Sequence, residues 1–224
     1  MSATLVQVDF QGSPYVGVFL AASDKLLLAP PTAPVELVRT VEQALGTPAL
    51  VMGLGGANVT GTVVAMNARG AVVADLATDD QVSELEKRGL RVGVLEGKLN
   101  AAGNNVLCND RGALIHPDFS VRQLDAVRDA LRVEVAERGT IAGISTVGSV
   151  AVATNKGCLT HPRITPAEKQ RLERVLGVTS NLGTANHGTP YLGACIVANG
   201  HGAAIGRLTT GPEMNRLEDT LGYL

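Results

Sequence analysis

Tryptophan is absent from the 224-residue chain, and aromatic side chains are confined to three Phe and three Tyr. A base-stacking platform of the kind used by single-strand nucleic-acid binders therefore has almost nothing to be built from. Cysteine is equally scarce. Cys108, Cys158 and Cys195 are odd in number, far apart and never in a Cys-x-x-Cys pair, which fits free thiols in a reducing compartment and supports neither a disulfide framework nor a zinc knuckle. A large charge of one sign is missing too. The formal net charge is −2, so binding driven by neutralising many phosphates, as on DNA, is not expected. No run reaches the roughly 18 apolar residues of a membrane span, and the N-terminal "MSATLVQVDF" lacks a basic start. These absences lead us to expect a soluble, cytoplasmic protein with no membrane association.

What is present is a repeat. "NDRGALIHP" (Asn109 to Pro117) and "TNKGCLTHP" (Thr154 to Pro162) share Gly, Leu, His and Pro at an offset of 154 − 109 = 45 residues. With units starting at Gly17, Gly61, Gly103, Gly148 and Gly193, the spacings are 44, 42, 45 and 45. A residue recurring at such a period usually serves the architecture. Nine places on stand Gly70, Gly112, Gly157 and Gly202, with Leu26 as the exception. Before them lie Asn-containing or basic triplets flanked by β-prone runs, a hairpin signal that predicts positive φ in the turn. Thr78, Ser120, Thr165 and Thr210, each with Gln or Glu three residues later, predict capping boxes that open helices. In the first unit Ala33-Pro34 opens the helix instead. Val41, Leu85, Val127, Leu172 and Leu217 mark the buried face of each helix, and a β-prone run follows it. The predicted unit is strand, strand, helix, strand.

The fifth unit stops after its helix, so the N-terminal "TLVQVDF" is expected to supply its missing strand. "SPYVG" before unit 1 and "TPYLG" before unit 5 agree with that closure. The expected fold is α/β, a closed ring of five αβ units forming one domain.

The repeat weakens most candidate sites. His116 and His161 occupy equivalent places before a Pro and a helix cap, which points to local structural bonding and away from a metal pair. Cys195 is placed early in a predicted strand among Ala194, Ile196 and Val197, buried and inert. "GLGGAN" fails the Gly-x-Gly-x-x-Gly pattern, and no P-loop occurs. No catalytic residue, metal or cofactor is expected. Two positions stand out. Lys25, Arg69, Arg111, Lys156 and His201 put a basic residue at every hairpin tip, the alternatives being ordinary exposed turn polarity or a basic rim. Just after the unit glycine stand Val18, Thr62, Asn104, Ser149 and Ala194, uncharged and divergent, as a surface facing an asymmetric partner would be.

Several long motifs fall in register: "AGNNVLCNDRGALIHP" (Ala102 to Pro117), "VGSVAVATNKGCLTHP" (Val147 to Pro162), "GTANHGTPYLGACIVANGHGA" (Gly183 to Ala203) and "TTGPE" (Thr209 to Glu213). They resemble the translation initiation factor 6 family nearly end to end, most densely from residue 102 onward. The resemblance implies a pentein: residues 1–224 as a single domain, a closed ring of five αβ repeats with pseudo-fivefold symmetry, also described as a β/α propeller. It implies a non-enzymatic, cofactor-free, monomeric ribosome anti-association factor. Such a factor binds the large ribosomal subunit where the small subunit would join and takes part in late maturation of that subunit. The implied contact is chiefly ribosomal protein near the sarcin–ricin loop, with a minor rRNA contact. Lacking the C-terminal extension of eukaryotic members, the chain resembles archaeal ones. The matching contact positions are Thr62, Asn104 and Val150, with Asn105 and Ser149 adjacent, Asn104 foremost. Two other readings are a pentein-type guanidine-modifying hydrolase and a ring scaffold for another protein. The first would need a Cys nucleophile near the C-terminal end, with a His and an acid in reach.

Overall fold

In the computed structural model, which describes residues 4–223, five units follow one plan. Unit 1 has strands Ala21–Ala22 and Leu27–Ala29, helix Val35–Leu45 and strand Ala49–Val51. Unit 2 repeats it with Val64–Met66, Gly70–Ala74, helix Asp79–Lys87 and Arg91–Leu95. Unit 3 has Val106–Cys108, Gly112–Ile115, helix Val121–Leu131 and Val135–Arg138. Unit 4 has Ala151–Ala153, Cys158–Thr160, helix Pro166–Leu176 and Ser180–Leu182. Unit 5 has Ile196–Ala198, Gly202–Gly206 and helix Gly211–Leu221. In each three-stranded sheet the first two strands form an antiparallel hairpin, and the third returns parallel to the second. For unit 5 that third strand is Thr4–Val8 from the other end of the chain, in register from Thr4 opposite Gly202 to Val8 opposite Gly206.

The unit differs from the expected one at its start. A helical turn precedes the first strand: Val16–Phe19, Thr60–Val63, Ala102–Asn105 and Leu192–Cys195 are α-helical, and Val147–Ser149 is a 3-10 turn. Four-residue helices have no propensity signature of their own. These are fixed by close approach between units. A Cβ on Gly61 would overlap the Gly17 carbonyl oxygen, one on Gly103 that of Gly61, one on Gly148 that of Gly103, one on Gly193 that of Gly148, and one on Gly17 that of Gly193. Cys195 consequently closes a turn and does not begin a strand.

The hairpin turns differ as well. None of Asn67, Asn109, Gly70 or Gly112 has positive φ. The Asn67 carboxamide oxygen accepts from the Arg69 and Gly70 N–H groups at 2.9 Å each, and Asn109 does the same for Arg111 and Gly112. Gly70, Gly112 and Gly157 are needed for another reason. A Cβ there would strike the carbonyl of Ala130, Val175 or Thr220, near the end of the next unit's helix.

Capping boxes close at Thr78 with Gln81, Ser120 with Gln123 and Thr165 with Glu168. Each helix then buries its apolar stripe twice over. Leu85 of unit 2 packs on Ala71 and Val73 of its own sheet and on Leu26 and Leu28 of unit 1. Val127 of unit 3 lies with Val106 and Ile115 of its own unit and Val72 of unit 2. Equivalent clusters join unit 3 to unit 4, unit 4 to unit 5, and unit 5 to unit 1. Strands covered on both faces lose the alternating pattern of a half-solvated sheet, and all five residues of Gly70–Ala74 and of Gly202–Gly206 are buried.

Two consequences can be measured. Gly103→Ala should lower stability by about 3 kcal/mol or more, because the methyl meets backbone that cannot rotate away; a denaturation midpoint equal to wild type would disprove the close approach. Thr60 occupies the place of Val16, Ala102, Val147 and Leu192, and its buried hydroxyl has no partner among the described residues. Thr60→Val should therefore stabilise by about 1 kcal/mol, read as a rise in thermal midpoint.

Candidate functional site

The hairpin end of the molecule is occupied with holding units together. The Asn67 carboxamide donates to the carbonyls of Asn109 (3.1 Å) and Leu131 (2.9 Å) in unit 3. Asn109 reaches Thr154 and Leu176 of unit 4 in the same way, and Asn199 reaches Ser23 and Leu45 of unit 1. Thr154 has no amide to offer. At that junction the Tyr223 hydroxyl, with its single proton, lies 2.7 Å from the Asn199 carbonyl and 2.8 Å from that of Gly202.

The basic tips have a structural task at the same end. Lys25 donates to the Gly89 carbonyl at 2.9 Å, Arg69 to Arg132 at 2.9 Å, Arg111 to Gly177 and Lys156 to Gly222 at 3.2 Å. Each acceptor lies at or just past the C-terminus of the next unit's helix, where unpaired carbonyls and the helix dipole favour a cation. His201 lies against Gly46 at the end of the unit 1 helix. Four of the five basic tips thus bond the end of a neighbouring unit's helix. Inside these tips, the Asn155 carboxamide bridges Asp24 and Asp110 at 3.2 and 2.7 Å.

The opposite end presents the five turns. None of the residues 15–19, 59–63, 101–105, 146–150 and 191–195 is charged. Thr62, Asn104 and Ser149 are half-buried on it. Thr62 and Ser149 turn their hydroxyls onto the carbonyls of Val59 and Thr146, whereas Asn104 makes no side-chain hydrogen bond among the described residues. Two expected contact residues are corrected. Val150 is 0% exposed, and Asn105 is 4% exposed with its amide donating to the Leu99 carbonyl. The apolar Val150 belongs to the core between units 3 and 4, and Asn105 braces the turn from inside, so neither side chain is available to a partner. The structure adds two residues that repeat reasoning passed over: Tyr15 and Tyr191, at the N-caps of their turns, are 43% and 47% exposed.

The connections into these turns are pinned by the same residues that cap the helices. Glu168 accepts from the Thr140 hydroxyl (2.7 Å), the N–H groups of Ala142 and Gly143, and the Thr165 cap. Glu213 does likewise for Thr184, His187, Gly188 and Thr210. Burial pushes both carboxyls up, but these donors outweigh it and bring each to about 2. Four connections hold an isolated β-bridge, Phe10 with Ser13, Leu54 with Ala57, Ile141 with Ile144 and Ala185 with Thr189, and among the described residues the connection 96–101 between units 2 and 3 has none. An open groove of about 560 Å³ lies there, lined by Val94, Leu95, Leu99 and Ala126 with Lys98 and Arg122 at its rim. Ser120, the hydroxyl in its lining, is engaged with Gln123 in the helix cap.

The remaining candidates are internal. The Nδ1 atoms of His116 and His161 accept from the N–H groups of Asp118 (3.1 Å) and Arg163 (3.0 Å), closing the passage from strand to helix. Burial, with Asp110 adding to it, pushes the Cys108 thiol up to about 12. Burial with Glu173 nearby takes Cys158 to about 12, and burial against a hydrogen bond from Asn186 takes Cys195 to about 11. Such thiols stay protonated at neutral pH and make poor nucleophiles. Among the described residues no three His, Cys, Asp or Glu side chains converge as a metal site would need, and no helix is long and apolar enough to cross a membrane.

Residues 5–220 match the eIF-6 family. The chain is 40% identical over 221 residues to translation initiation factor 6 of Haloquadratum walsbyi, covering 98% of this chain and 97% of that protein. It is 41% identical over 218 residues to that of Methanosarcina mazei, covering 97% and 98%. It is 34% identical over 224 residues to that of Pyrococcus horikoshii, again covering 97% and 98%.

The two pinned carboxylates make acid stability a readout of the connections. Since Glu168 and Glu213 ionise near 2 when folded and near 4.5 ordinarily, the stability they add is whole above about 4.5 and is lost as pH falls toward 2. The gap in thermal midpoint between wild type and a Glu168→Gln, Glu213→Gln double variant should be constant from pH 7 to 5 and largely closed at pH 2. A gap independent of pH would show that ionisation is not what holds these loops.

Proposed function

The chain belongs to the eIF-6 family, and from that premise we propose that it is a ribosome anti-association factor. It binds the large ribosomal subunit through the end bearing the five turns, blocks joining of the small subunit sterically, and acts in large-subunit maturation. A role as a translation initiation factor accords with the shared name of its relatives, and so does the absence of enzymatic function. The observation that carries the more specific reading is that none of the five turns is charged. Interface centres are depleted of charge, whereas a surface built to meet phosphates is not. The partner is therefore chiefly ribosomal protein, as beside the sarcin–ricin loop, with rRNA at most at the margin.

Thr62, Asn104 and Ser149 are the proposed contacts, and Asn104 leads because its carboxamide has no task inside the molecule. The cyclic succession of glycine contacts and shared cores supports reading the five units as a closed, pseudo-fivefold pentein ring of one domain, and the proposed function would have it act as a monomer in the cytoplasm. A ring so tied presents one rigid face, and a rigid face occludes without chemistry.

Sedimentation through sucrose with large subunits, followed by light scattering as small subunits are added, tests this. Co-sedimentation with suppressed joining is expected; unhindered joining with the protein left in the supernatant refutes the proposal. Asn104→Asp, nearly isosteric but charged, should weaken binding at least about tenfold, or 1.4 kcal/mol, at unchanged thermal midpoint. Wild-type affinity in that variant would remove Asn104 from the contact.

A further inference from the structure

Two of the chain's six aromatic residues, Tyr15 and Tyr191, are left exposed, and both are on the end that carries the five turns. Phe10, Phe119 and Tyr223 are buried, and Phe19 is partly buried. The equivalent N-cap positions of the other three units hold Val59, Ala101 and Thr146. The aromatic residues thus mark one sector of a repeating surface, at the junction of units 5 and 1, where Gly17 and Gly193 are in contact.

This sector is braced. The buried Asn186, in the connection that leads to Tyr191, donates to the Pro14 carbonyl at 2.8 Å in the connection that leads to Tyr15. Its own N–H is held by the Thr209 hydroxyl at 3.1 Å. Pro14 and Pro190 precede the two tyrosines and restrict the backbone there. Phe10 and Phe19 stack with ring centroids 4.0 Å apart at the two ends of the segment that carries Tyr15. Neither exposed tyrosine hydroxyl has a hydrogen-bond partner among the described residues.

We infer that Tyr15 and Tyr191 form the aromatic anchor by which this face grips a protein surface of the large ribosomal subunit. The inference rests on the proposed function and assigns to that contact two residues beyond Thr62, Asn104 and Ser149. Exposed tyrosines on a pinned backbone are suited to this role. They offer large apolar area with little side-chain entropy to lose, and interface hot spots are enriched in them. Their free hydroxyls fit a partner offering backbone carbonyls beside apolar side chains. Protein is favoured over RNA because the neighbouring turns carry no cation to meet phosphates.

The test uses the intact protein and purified large subunits. Tyr15→Ala and Tyr191→Ala should each weaken binding at least about tenfold at unchanged thermal midpoint, while Phe at either position should stay within about threefold of wild type, the ring supplying most of the contact. Glu86→Ala, an exposed residue in the last turn of the unit 2 helix at the hairpin end, should bind as wild type. Nitration with tetranitromethane, read by mass spectrometry, is independent of any variant. Tyr15 and Tyr191 should react in the free protein and be protected on the subunit, with the buried Tyr223 unreactive in both states. Wild-type affinity in the double alanine variant, or full nitration of both tyrosines on the subunit, overturns the anchor and leaves the proposed function standing. Wild-type protein that fails to bind overturns both. A steep loss of affinity with salt, or ultraviolet crosslinks from these tyrosines to rRNA, overturns the choice of protein as partner.

Discussion

Everything in this molecule depends on the fact that no unit buries a core by itself. Each helix is wedged between its own sheet and the sheet of the preceding unit, so the apolar clusters lie between units: Leu85 against Leu26 and Leu28, Val127 against Val72. The last cluster is shared by Val197 and Ala204 of unit 5 with Val41 and Leu45 of unit 1. An isolated unit would leave one face of its sheet and half of its helix stripe in water, which a segment of some 45 residues cannot afford. The small side chains follow from the same constraint. Sheets covered on both faces, with backbones meeting glycine to carbonyl, leave room for Val, Ala and Gly and little for aromatic rings.

Polar groups then serve the joints between units. A helix ends with unpaired carbonyls that need donors. Lys25, Arg69, Arg111 and Lys156 reach across from the preceding hairpin to supply the donors, and Asn67, Asn109 and Asn199 add neutral ones. At the other pole of the unit 4 and unit 5 helices, Glu168 and Glu213 close the capping box and also collect the N–H groups of the entering connection. One side chain thereby fixes a helix start and a loop together. With this division of labour, four basic side chains are drawn to the hairpin end, and the five turns at the other end carry no charge.

That asymmetry connects the fold to its use. The proposed function, in which the protein works by occupying space on an RNA-rich particle, needs a stiff body and a face that binds without drawing in every polyanion nearby, and the uncharged turns would provide such a face. Side chains break the near-symmetry of the backbone on it: Thr62, Asn104 and Ser149 after the glycines, Tyr15 and Tyr191 before them. The buried thiols and locally bonded histidines take no part.

The sequence by itself determined the period of the repeat, the capped helices and their buried stripe, and the borrowing of Thr4–Val8 by unit 5, because these rest on local spacing and on hydrophobic phase along the chain. It also determined that His116 and His161 are local fasteners, since equivalent residues in successive units cannot readily converge. Only the tertiary structure decided the rest. The opening turns are held by glycine contacts between units, and Gly70 and Gly112 answer to a neighbouring helix and not to the hairpin's own φ. The basic tips face helix ends 63 to 66 residues away in sequence, a relation that no local pattern encodes. Whether a residue beside the glycine points outward, as Asn104 does, or inward, as Asn105 and Val150 do, depends on the rotation of one helical turn against its neighbour. That rotation is set by packing between units, so the exposed face became legible only when all five were together.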